Sequence, residues 1–136
     1  MKVICLGGGP AGLYLGISLK LRNPDHEITV YERNKPDDTF GWGIVFSDQT
    51  VDNITANDPV SAQRIVNEFI HWDLIDCHVS GSVERSAGHG FIGLGRKRFL
   101  QLLHERAREL GVVLKFEQEI EINDIDTRFA DADVIV

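Results

Sequence analysis

Three glycines near the start of the chain have the types and spacing that point most directly to chemistry. Gly7, Gly9 and Gly12 form the pattern G-x-G-x-x-G. In such a loop the first glycine permits a tight turn, the second lets a pyrophosphate approach the backbone, and the third lets a helix pack closely on a strand. Unpaired N–H groups and the positive end of the helix dipole then face the anion. The pattern predicts a dinucleotide site, and the alternative is a glycine turn that serves packing alone.

Glu32 supplies the second feature of the predicted site. It lies 20 residues after Gly12 and directly follows the apolar run EITVY at residues 27–31. A carboxylate at this distance can accept hydrogen bonds from the hydroxyls of an adenosine ribose. It would also repel a 2′-phosphate, which disfavours NADP, although the neighbouring Arg33 could offset that repulsion. From these residues alone, both FAD and NAD remain as ligands.

The elements that must position these residues read as strand, glycine turn, helix and strand. Residues 2–6 are rich in β-forming types, residues 10–21 read as a helix that is apolar nearly all round, and residues 27–31 read as a second strand. A helix of this kind is typical of one buried against a parallel sheet, and Gly16 extends its small face. The pattern predicts an α/β fold with a Rossmann-like βαβ start.

The rest of the chain is predicted to continue this α/β pattern. Residues 34–57 are expected to be loop-rich, and Asp58 and Pro59 to open a surface helix. The apolar face of that helix would contain Ala62, Ile65, Val66, Phe69 and Ile70. Farther along, the sequence predicts strands near 74–79 and 82–85, a glycine-rich run at 88–95, a helix over 96–110 stopped by Gly111, and buried strands over 112–116 and 133–136.

Composition narrows the class of protein. A chain of 136 residues with 43% hydrophobic residues is expected to fold as one globular unit. Its net charge of -7 argues against nucleic acid and anionic membrane surfaces as partners. Cys5 and Cys77 show no disulfide framework and no metal-ligand spacing, which favours a reducing cytoplasm and no metal. No apolar run reaches the roughly 18 residues that a membrane span needs.

Five segments of the chain carry a family resemblance: GGGPAGLYLGISLK, VYERN, DTFGWGIVFSD, GHGFIGLGRKRFL and GVVLKFE. Together they resemble the N-terminal part of the single-component FAD-dependent aromatic hydroxylases, which share the para-hydroxybenzoate hydroxylase fold. Within that class the chain looks most like salicylyl-CoA hydroxylases and anthraniloyl-CoA monooxygenases. The resemblance covers essentially all of the chain. FGWGIVFSD and GHGFIGLGRK are far more specific than the glycine motif, which many flavoproteins share.

The resemblance implies a set of cofactor-binding residues. Those expected to wrap the FAD pyrophosphate are Gly7, Gly9, Pro10, Ala11 and Gly12. Glu32 is expected to bind the adenosine ribose, with Arg33 at the border of the same pocket. Arg96, which opens the predicted helix over 96–110, is expected to approach the ribityl-pyrophosphate side of the flavin, where a cation would be charge-assisted. The alternative is that Arg96 is a solvated cation.

The loop at residues 41–45 is expected to lie near the isoalloxazine ring. There Gly43 would let the backbone approach the flat cofactor, and Trp42 would shield it from water. The alternative is that Trp42 is a plug between loop and core. The family prototype has an arginine in this loop, where this chain has Gly41 or Trp42, so the cofactor mobility of the prototype does not transfer directly.

No catalytic residue can be assigned from the sequence. The histidines show no metal-ligand pairing, and His104 is expected to be structural. His89 lies between two glycines and could reach flavin or substrate, with a turn role as the alternative. No Ser/His/Asp set is present, which suits an enzyme whose cofactor carries the chemistry.

The resemblance implies an aromatic monooxygenase. NADH or NADPH would reduce the FAD, and a flavin C4a-hydroperoxide would deliver oxygen to an aromatic substrate. An aromatic CoA thioester is one candidate. Lys97 and Arg98 are expected to be surface residues, and in the coenzyme A branch they could instead attract such an anionic thioester. Residues 1–136 would be the N-terminal part of the FAD-binding domain, inactive alone, because the family's Ala-Asp-Gly turn, substrate domain and Gly-Asp motif are missing. The alternatives are a stand-alone dinucleotide-binding module and an NAD-dependent dehydrogenase or flavin reductase.

Overall fold

A computed structural model describes all 136 residues, and they form two compact units. The first unit contains Met1–Phe40 and Leu100–Val136, and the second contains Gly41–Phe99. The elements in chain order are β1 (Lys2–Leu6), α1 (Pro10–Arg22), β2 (Glu27–Tyr31), β3 (Gly43–Ser47), α2 (Asp48–Asn57), α3 (Pro59–Val66), β4 (Ile70–Trp72), β5 (Ile75–Val79), β6 (Ser82–Ser86), β7 (Phe91–Gly95), α4 (Arg96–Glu109), β8 (Val113–Lys115), a 3-10 helix (Ile122–Asp124), α5 (Ile125–Arg128) and β9 (Val134–Ile135). None of the helices is long and apolar enough to cross a membrane.

The first unit is built on a parallel sheet with the strand order β8-β2-β1-β9. Val3 and Ile4 of β1 are buried, as are Leu13 and Ile17 of α1. Ile4 packs with Tyr31 and Phe129 in a core cluster, so the sheet carries buried apolar side chains as a parallel sheet requires. The predicted α/β fold with a βαβ start is confirmed. The chain runs outward from β1 through β2 to β8 and then returns to the other side of β1. Open parallel sheets bind ligands at such a reversal, beyond the carboxyl ends of the strands.

The two outer strands of this sheet are less buried than the sequence predicted. Val113 of β8 is 49% exposed, and Val134 and Ile135 of β9 are 41% and 37% exposed. The prediction of strands at these positions is confirmed, but the prediction that they are buried is wrong. Each has a neighbouring strand on one side only, so apolar side chains there are only partly covered.

The second unit contains an antiparallel sheet of order β3-β7-β4 and a separate β5-β6 hairpin. Its strands pair with one another and not with the parallel sheet, which is why the chain divides into two compact units. The core of the second unit includes Phe46, whose ring meets Phe69 at 5.9 Å and Phe99 at 5.3 Å, both edge to face. Aromatic rings prefer this arrangement.

The prediction that residues 34–57 are loop-rich is wrong, because this segment contains β3 and α2. In β3, Ile44 and Phe46 are partly buried while the residues between them are exposed, the alternation of a strand with one covered face. Its partner is β7, which lies far along the chain, so no local sequence pattern predicts this strand pairing. Helix α2 has no buried residue, and its polar composition resembles that of a loop.

Two predicted helix boundaries can be compared with the structure. Helix α3 begins at Pro59 after the N-cap Asp58, as predicted, but it ends at Val66. Phe69 therefore lies beyond it, and Ile70 belongs to β4, where it is 74% exposed. The expected apolar helix face stops at Ile65. Gly111 follows α4 with φ +81°, a conformation that favours glycine, which confirms it as the stop signal.

Candidate dinucleotide site

The glycine loop connects β1 to α1 and has the geometry that its spacing predicts. Gly7 has φ +128°, which side chains rarely adopt, and its N–H donates to the Tyr31 carbonyl at 2.8 Å. A Cβ on Gly12 would lie closer than 3.0 Å to the Gly7 carbonyl oxygen, so only glycine allows the helix to start this close to the loop. Beside Gly9 there is open space for at least 4 Å. A ligand can therefore approach the backbone there.

The N-terminus of α1 is available to an anion. Gly9 is the N-cap residue, no side chain caps the helix, and the first turn contains no acidic residue. The first N–H groups of a helix need acceptors, and its dipole favours negative charge at this end. A cleft of about 320 Å³ opens here, and it is lined by the loop residues with Leu15 of α1, Cys5 and Leu6 of β1, and Val136. It lies at the strand reversal between β1 and β9, the expected place for a ligand.

Glu32 is held in one orientation by its own chain. Its Oε2 accepts a hydrogen bond from the Gly8 N–H at 2.8 Å, and its Oε1 accepts two from Asn34, from the backbone N–H at 2.8 Å and from Nδ2 at 2.7 Å. A carboxylate has about four acceptor positions, so roughly one remains, on Oε2. The predicted ribose-binding residue is therefore fixed against the glycine loop with capacity for one more donor.

The electrostatic environment keeps Glu32 ionised. Partial burial raises the pKa of its carboxyl, but the hydrogen bonds from the Asn34 backbone, the Gly8 backbone and the Asn34 side chain together outweigh burial. The nearby Arg33 guanidinium acts in the same direction as these bonds. The pKa of Glu32 therefore lies below its usual range, and the group is an acceptor at neutral pH.

A second cleft, of about 360 Å³, is lined by Glu32 and its neighbours. Its walls are residues 31–34 after β2, residues 118–120 after β8, Phe40, and Leu6 with Gly7. The last two residues also line the first cleft, so the glycine loop separates the two spaces. Each volume lies near the lower end of the range of about 300–1,000 Å³ for ligand pockets. Each cleft is thus of a size for part of a dinucleotide.

Arg33 borders this second cleft, as predicted. Its Nη1 lies 3.9 Å from Oε1 of Glu119, and both side chains are about two-thirds exposed, at 69% and 67%. Ion pairs this long and this exposed contribute little to stability. This ion pair therefore does little to fix the Arg33 side chain.

The remaining predicted cofactor residues lie together in the second unit. Trp42 is 97% exposed, so the alternative that it is a plug between loop and core is wrong. Its carbonyl accepts the Arg96 N–H at 3.2 Å, which joins the loop to the first residue of α4. A Cβ on Gly43 would lie 3.3 Å from the Leu94 carbonyl, so a side chain there would crowd β7. The Nε of Arg96 is buried without a hydrogen-bond partner.

His104 is buried and His89 is held by local contacts, whereas His71 and His78 are exposed. His104 is 5% exposed, its ring meets Phe116 edge to face at 5.0 Å, and its Nε2 has no hydrogen-bond partner. Burial lowers the pKa of His104 and Arg108 adds to the effect, while Asp37 and Glu32 oppose it. The ring of His89 stacks on Phe91 at 5.6 Å, and its Nε2 lies 2.6 Å from Ser86 Oγ. These contacts favour the turn role for His89.

Sequence reasoning missed part of the second cleft. Asn34, Phe40 and residues 118–120 line or shape it, and none was among the predicted site residues. One signal was available for residues 118–120, because they follow the strand β8 and the carboxyl ends of parallel strands meet at one edge. No comparable signal marks Phe40.

Comparisons with known proteins agree with this geometry. The chain is 48% identical over 130 residues to salicyloyl-CoA 5-hydroxylase from a Streptomyces species, which covers 93% of this chain and 25% of that protein. It is 26% identical over 136 residues to 3-hydroxy-4-methyl-anthranilyl-[aryl-carrier protein] 5-monooxygenase of Streptosporangium sibiricum, covering 100% of this chain and 37% of that protein. The chain is homologous to the N-terminal part of aromatic monooxygenases. The resemblance found in the sequence motifs is confirmed.

One further relative and two solved structures are also similar to the chain. Protodeoxyviolaceinate monooxygenase of Chromobacterium violaceum is 28% identical over 140 residues, covering 100% of this chain and 36% of that protein. The chain superposes on 2-methyl-3-hydroxypyridine-5-carboxylic acid oxygenase with a TM-score of 0.74 at 21% identity, covering 87% of this chain and 32% of the oxygenase. The chain superposes on the Diels-Alderase PyrE3 with a TM-score of 0.68 at 23% identity, covering 88% of this chain and 26% of PyrE3. No family model matches the chain. The chain spans 25–37% of the length of its curated relatives.

Proposed function

We propose that this chain is the FAD-binding part of an aromatic monooxygenase that uses NADH or NADPH as electron donor. The observation that carries the proposal is the position of Glu32. Its carboxylate is fixed on the Gly8 N–H beside the uncapped N-terminus of α1, at the reversal of a parallel sheet. This arrangement supports the proposal, because one carboxylate acceptor that would suit a sugar hydroxyl lies beside N–H donors that would suit a diphosphate.

Each predicted residue then has a physical role. The backbone of residues 7–12 would bind the pyrophosphate, since Gly7 and Gly12 shape the loop and the space beside Gly9 is open. Glu32 would accept a ribose hydroxyl on Oε2. Arg96, whose guanidinium has no hydrogen-bond partner at Nε, would approach the ribityl-pyrophosphate side of the flavin, where its charge favours phosphate oxygens.

Trp42 and Gly43 are proposed to bind the flavin ring, as the family resemblance implies. Trp42 exposes its whole ring and is flanked by Gly41, with φ +96°, and Gly43. An exposed aromatic ring beside flexible backbone can cover one face of a flat cofactor and exclude water. When bound, the FAD would supply the oxygen-transfer chemistry, and the chain's own residues would bind and orient it.

The relatives' names point to the substrate class. One is named for a salicyloyl group carried on CoA, and another for an anthranilyl group carried on an aryl-carrier protein. We infer that the protein hydroxylates an aromatic ring whose carboxyl group is linked to a carrier, with an aromatic acyl-CoA as the first candidate. One oxygen atom from O₂ would enter the ring and the other would leave as water, with NADH or NADPH supplying the two electrons.

FAD binding tests the cofactor part of this proposal. The chain is titrated with FAD and with NAD⁺ in parallel, followed by flavin fluorescence for FAD and by calorimetry for both. Glu32→Gln removes the charge at the acceptor and is expected to weaken FAD binding by roughly 10- to 100-fold, because hydrogen bonds to charged groups contribute about 1.5–3 kcal/mol. Glu27→Gln is the matched control, since Glu27 is an exposed acid at the other end of β2. Tight NAD⁺ binding with no FAD binding would overturn the flavin proposal.

Product analysis tests the activity. The protein as the cell makes it is supplied with NADH or NADPH and with salicyloyl-CoA, benzoyl-CoA or free salicylate. The expected result is oxidation of the reduced nucleotide that is coupled to formation of a thioester with one additional oxygen atom, detected by mass spectrometry. Equal hydroxylation of free salicylate would contradict the proposal that the substrate is linked to a carrier. Oxidation of NADH or NADPH without any hydroxylated product would contradict the proposal that the protein is a monooxygenase.

A further inference from the structure

Phe40 has an unusual position in the second cleft. Its side chain lines the space beside Glu32, yet it is 72% exposed. Its ring makes none of the aromatic or cation–π contacts that the rings of Tyr31 and Phe129 make. A large flat apolar side chain is thus presented to a cleft that the fixed Glu32 carboxylate also lines.

The other aromatic residue of this cleft cannot offer its ring in the same way. Tyr31 is only 8% exposed, and Phe129 packs against it at 5.1 Å. The Lys115 Nζ lies 5.1 Å and the Arg128 guanidinium carbon 5.4 Å from the Tyr31 ring centroid. Its faces are therefore engaged by the protein, and Phe40 presents the open aromatic surface in the cleft.

We propose that Phe40 is the stacking platform for the adenine base of the ADP moiety, while Glu32 holds the adjoining ribose. The inference rests on the proposed function and adds a binding residue to it. Leu6 and Ile120, which also line the cleft, would contact the apolar edges of the same base. Stacking on an aromatic ring contributes affinity that depends little on the identity of the base. Phe40 therefore supplies affinity for a nucleobase, and discrimination between adenine and other bases comes from elsewhere.

The test compares ligands with and without the base. Binding of ADP and of FMN to the chain is measured by calorimetry for the wild type, Phe40→Ala and Phe40→Trp. Phe40→Ala is expected to weaken ADP binding about 5- to 140-fold, the equivalent of the 1–3 kcal/mol found when stacked aromatics are truncated. Phe40→Trp is expected to retain ADP affinity. FMN affinity is expected to stay unchanged in both variants, since FMN carries no adenine.

The control is Ile122→Ala, which truncates another large apolar side chain of the first unit that is 83% exposed and does not line the cleft. It is expected to leave ADP binding unchanged. Because Phe40 is so exposed, its truncation is expected to preserve the fold, and circular dichroism checks this. Wild-type binding of ADP with undiminished binding by Phe40→Ala would overturn this inference and leave the proposed function intact. Equal loss of FMN affinity would also overturn it, and a wild type that binds neither ADP nor FAD would overturn both.

Discussion

Replacing Gly12 by alanine tests whether the glycine loop is shaped by close contact between backbone segments. In α1, a Cβ at Gly12 would meet the Gly7 carbonyl oxygen closer than 3.0 Å, where neither partner is a flexible side chain that could move away. Gly16 lies one turn later in the same helix. Its Cβ would meet only the side chains of Val112 and Ile28, at 3.4 and 3.5 Å, which is ordinary contact.

The two substitutions make the same chemical change inside one helix, and they differ in whether the added Cβ meets rigid backbone. Both exchange glycine for alanine inside a helix, which by itself stabilises by up to about 1 kcal/mol. At Gly12 the overpacking costs about 1–3 kcal/mol, and the rigid backbone on both sides places it toward the upper end. The free energies of unfolding of Gly12→Ala and Gly16→Ala should therefore differ by about 1–3 kcal/mol, with Gly12→Ala the less stable.

Thermal unfolding followed by far-ultraviolet circular dichroism measures this difference. For a chain of this length, about 1–3 kcal/mol corresponds to a difference in Tm of roughly 3–12 °C between the two variants. FAD affinity should also fall in Gly12→Ala, because the helix start can no longer approach the loop. Equal melting temperatures for the two variants would refute the close-packing role of Gly12.

Three further predictions concern single residues. Gly9→Ala should lower the free energy of unfolding by less than about 1 kcal/mol, since no atom lies within 4 Å of the added Cβ. It should weaken FAD binding about tenfold or more, because the new methyl group fills space that the ligand needs; thermal melting and an FAD titration of the same variant would show both effects. Burial lowers the pKa of His104 in the folded chain, so the unfolded chain is protonated first and the free energy of unfolding should fall as pH drops below about 6.5. Urea midpoints measured against pH should show a smaller decline for His104→Leu, and identical pH profiles for this variant and the wild type would contradict the prediction. Trp42→Phe should shift tryptophan emission to shorter wavelength, because the 97% exposed indole is removed and the partly buried Trp72 remains; an unchanged spectrum would show that Trp42 is covered.

Local sequence patterns were sufficient to predict the glycine loop and the position of Glu32. The strand, turn and helix around Gly7 and Gly12 follow from conformational rules that act over a few residues, as does the stop at Gly111. Glu32 could be placed because the length of a βαβ unit sets its distance from the loop. These features agree between sequence and structure because the physical cause lies within neighbouring residues.

The features that only the tertiary structure decided depend on partners far apart in the chain. Strand β3 forms because β7 completes its hydrogen bonds, and neither its five residues nor the polar α2 carries a strong signal alone. The cleft beside Glu32 needs residues 118–120 and Phe40, which come together only when β8 joins β2. Periodicity and spacing are local properties of a sequence, whereas burial, exposure and the walls of a cavity result from which distant segments pack together. The sequence by itself therefore determined the glycine loop and the position of Glu32 beside it, and the tertiary structure decided the walls of the cleft next to them.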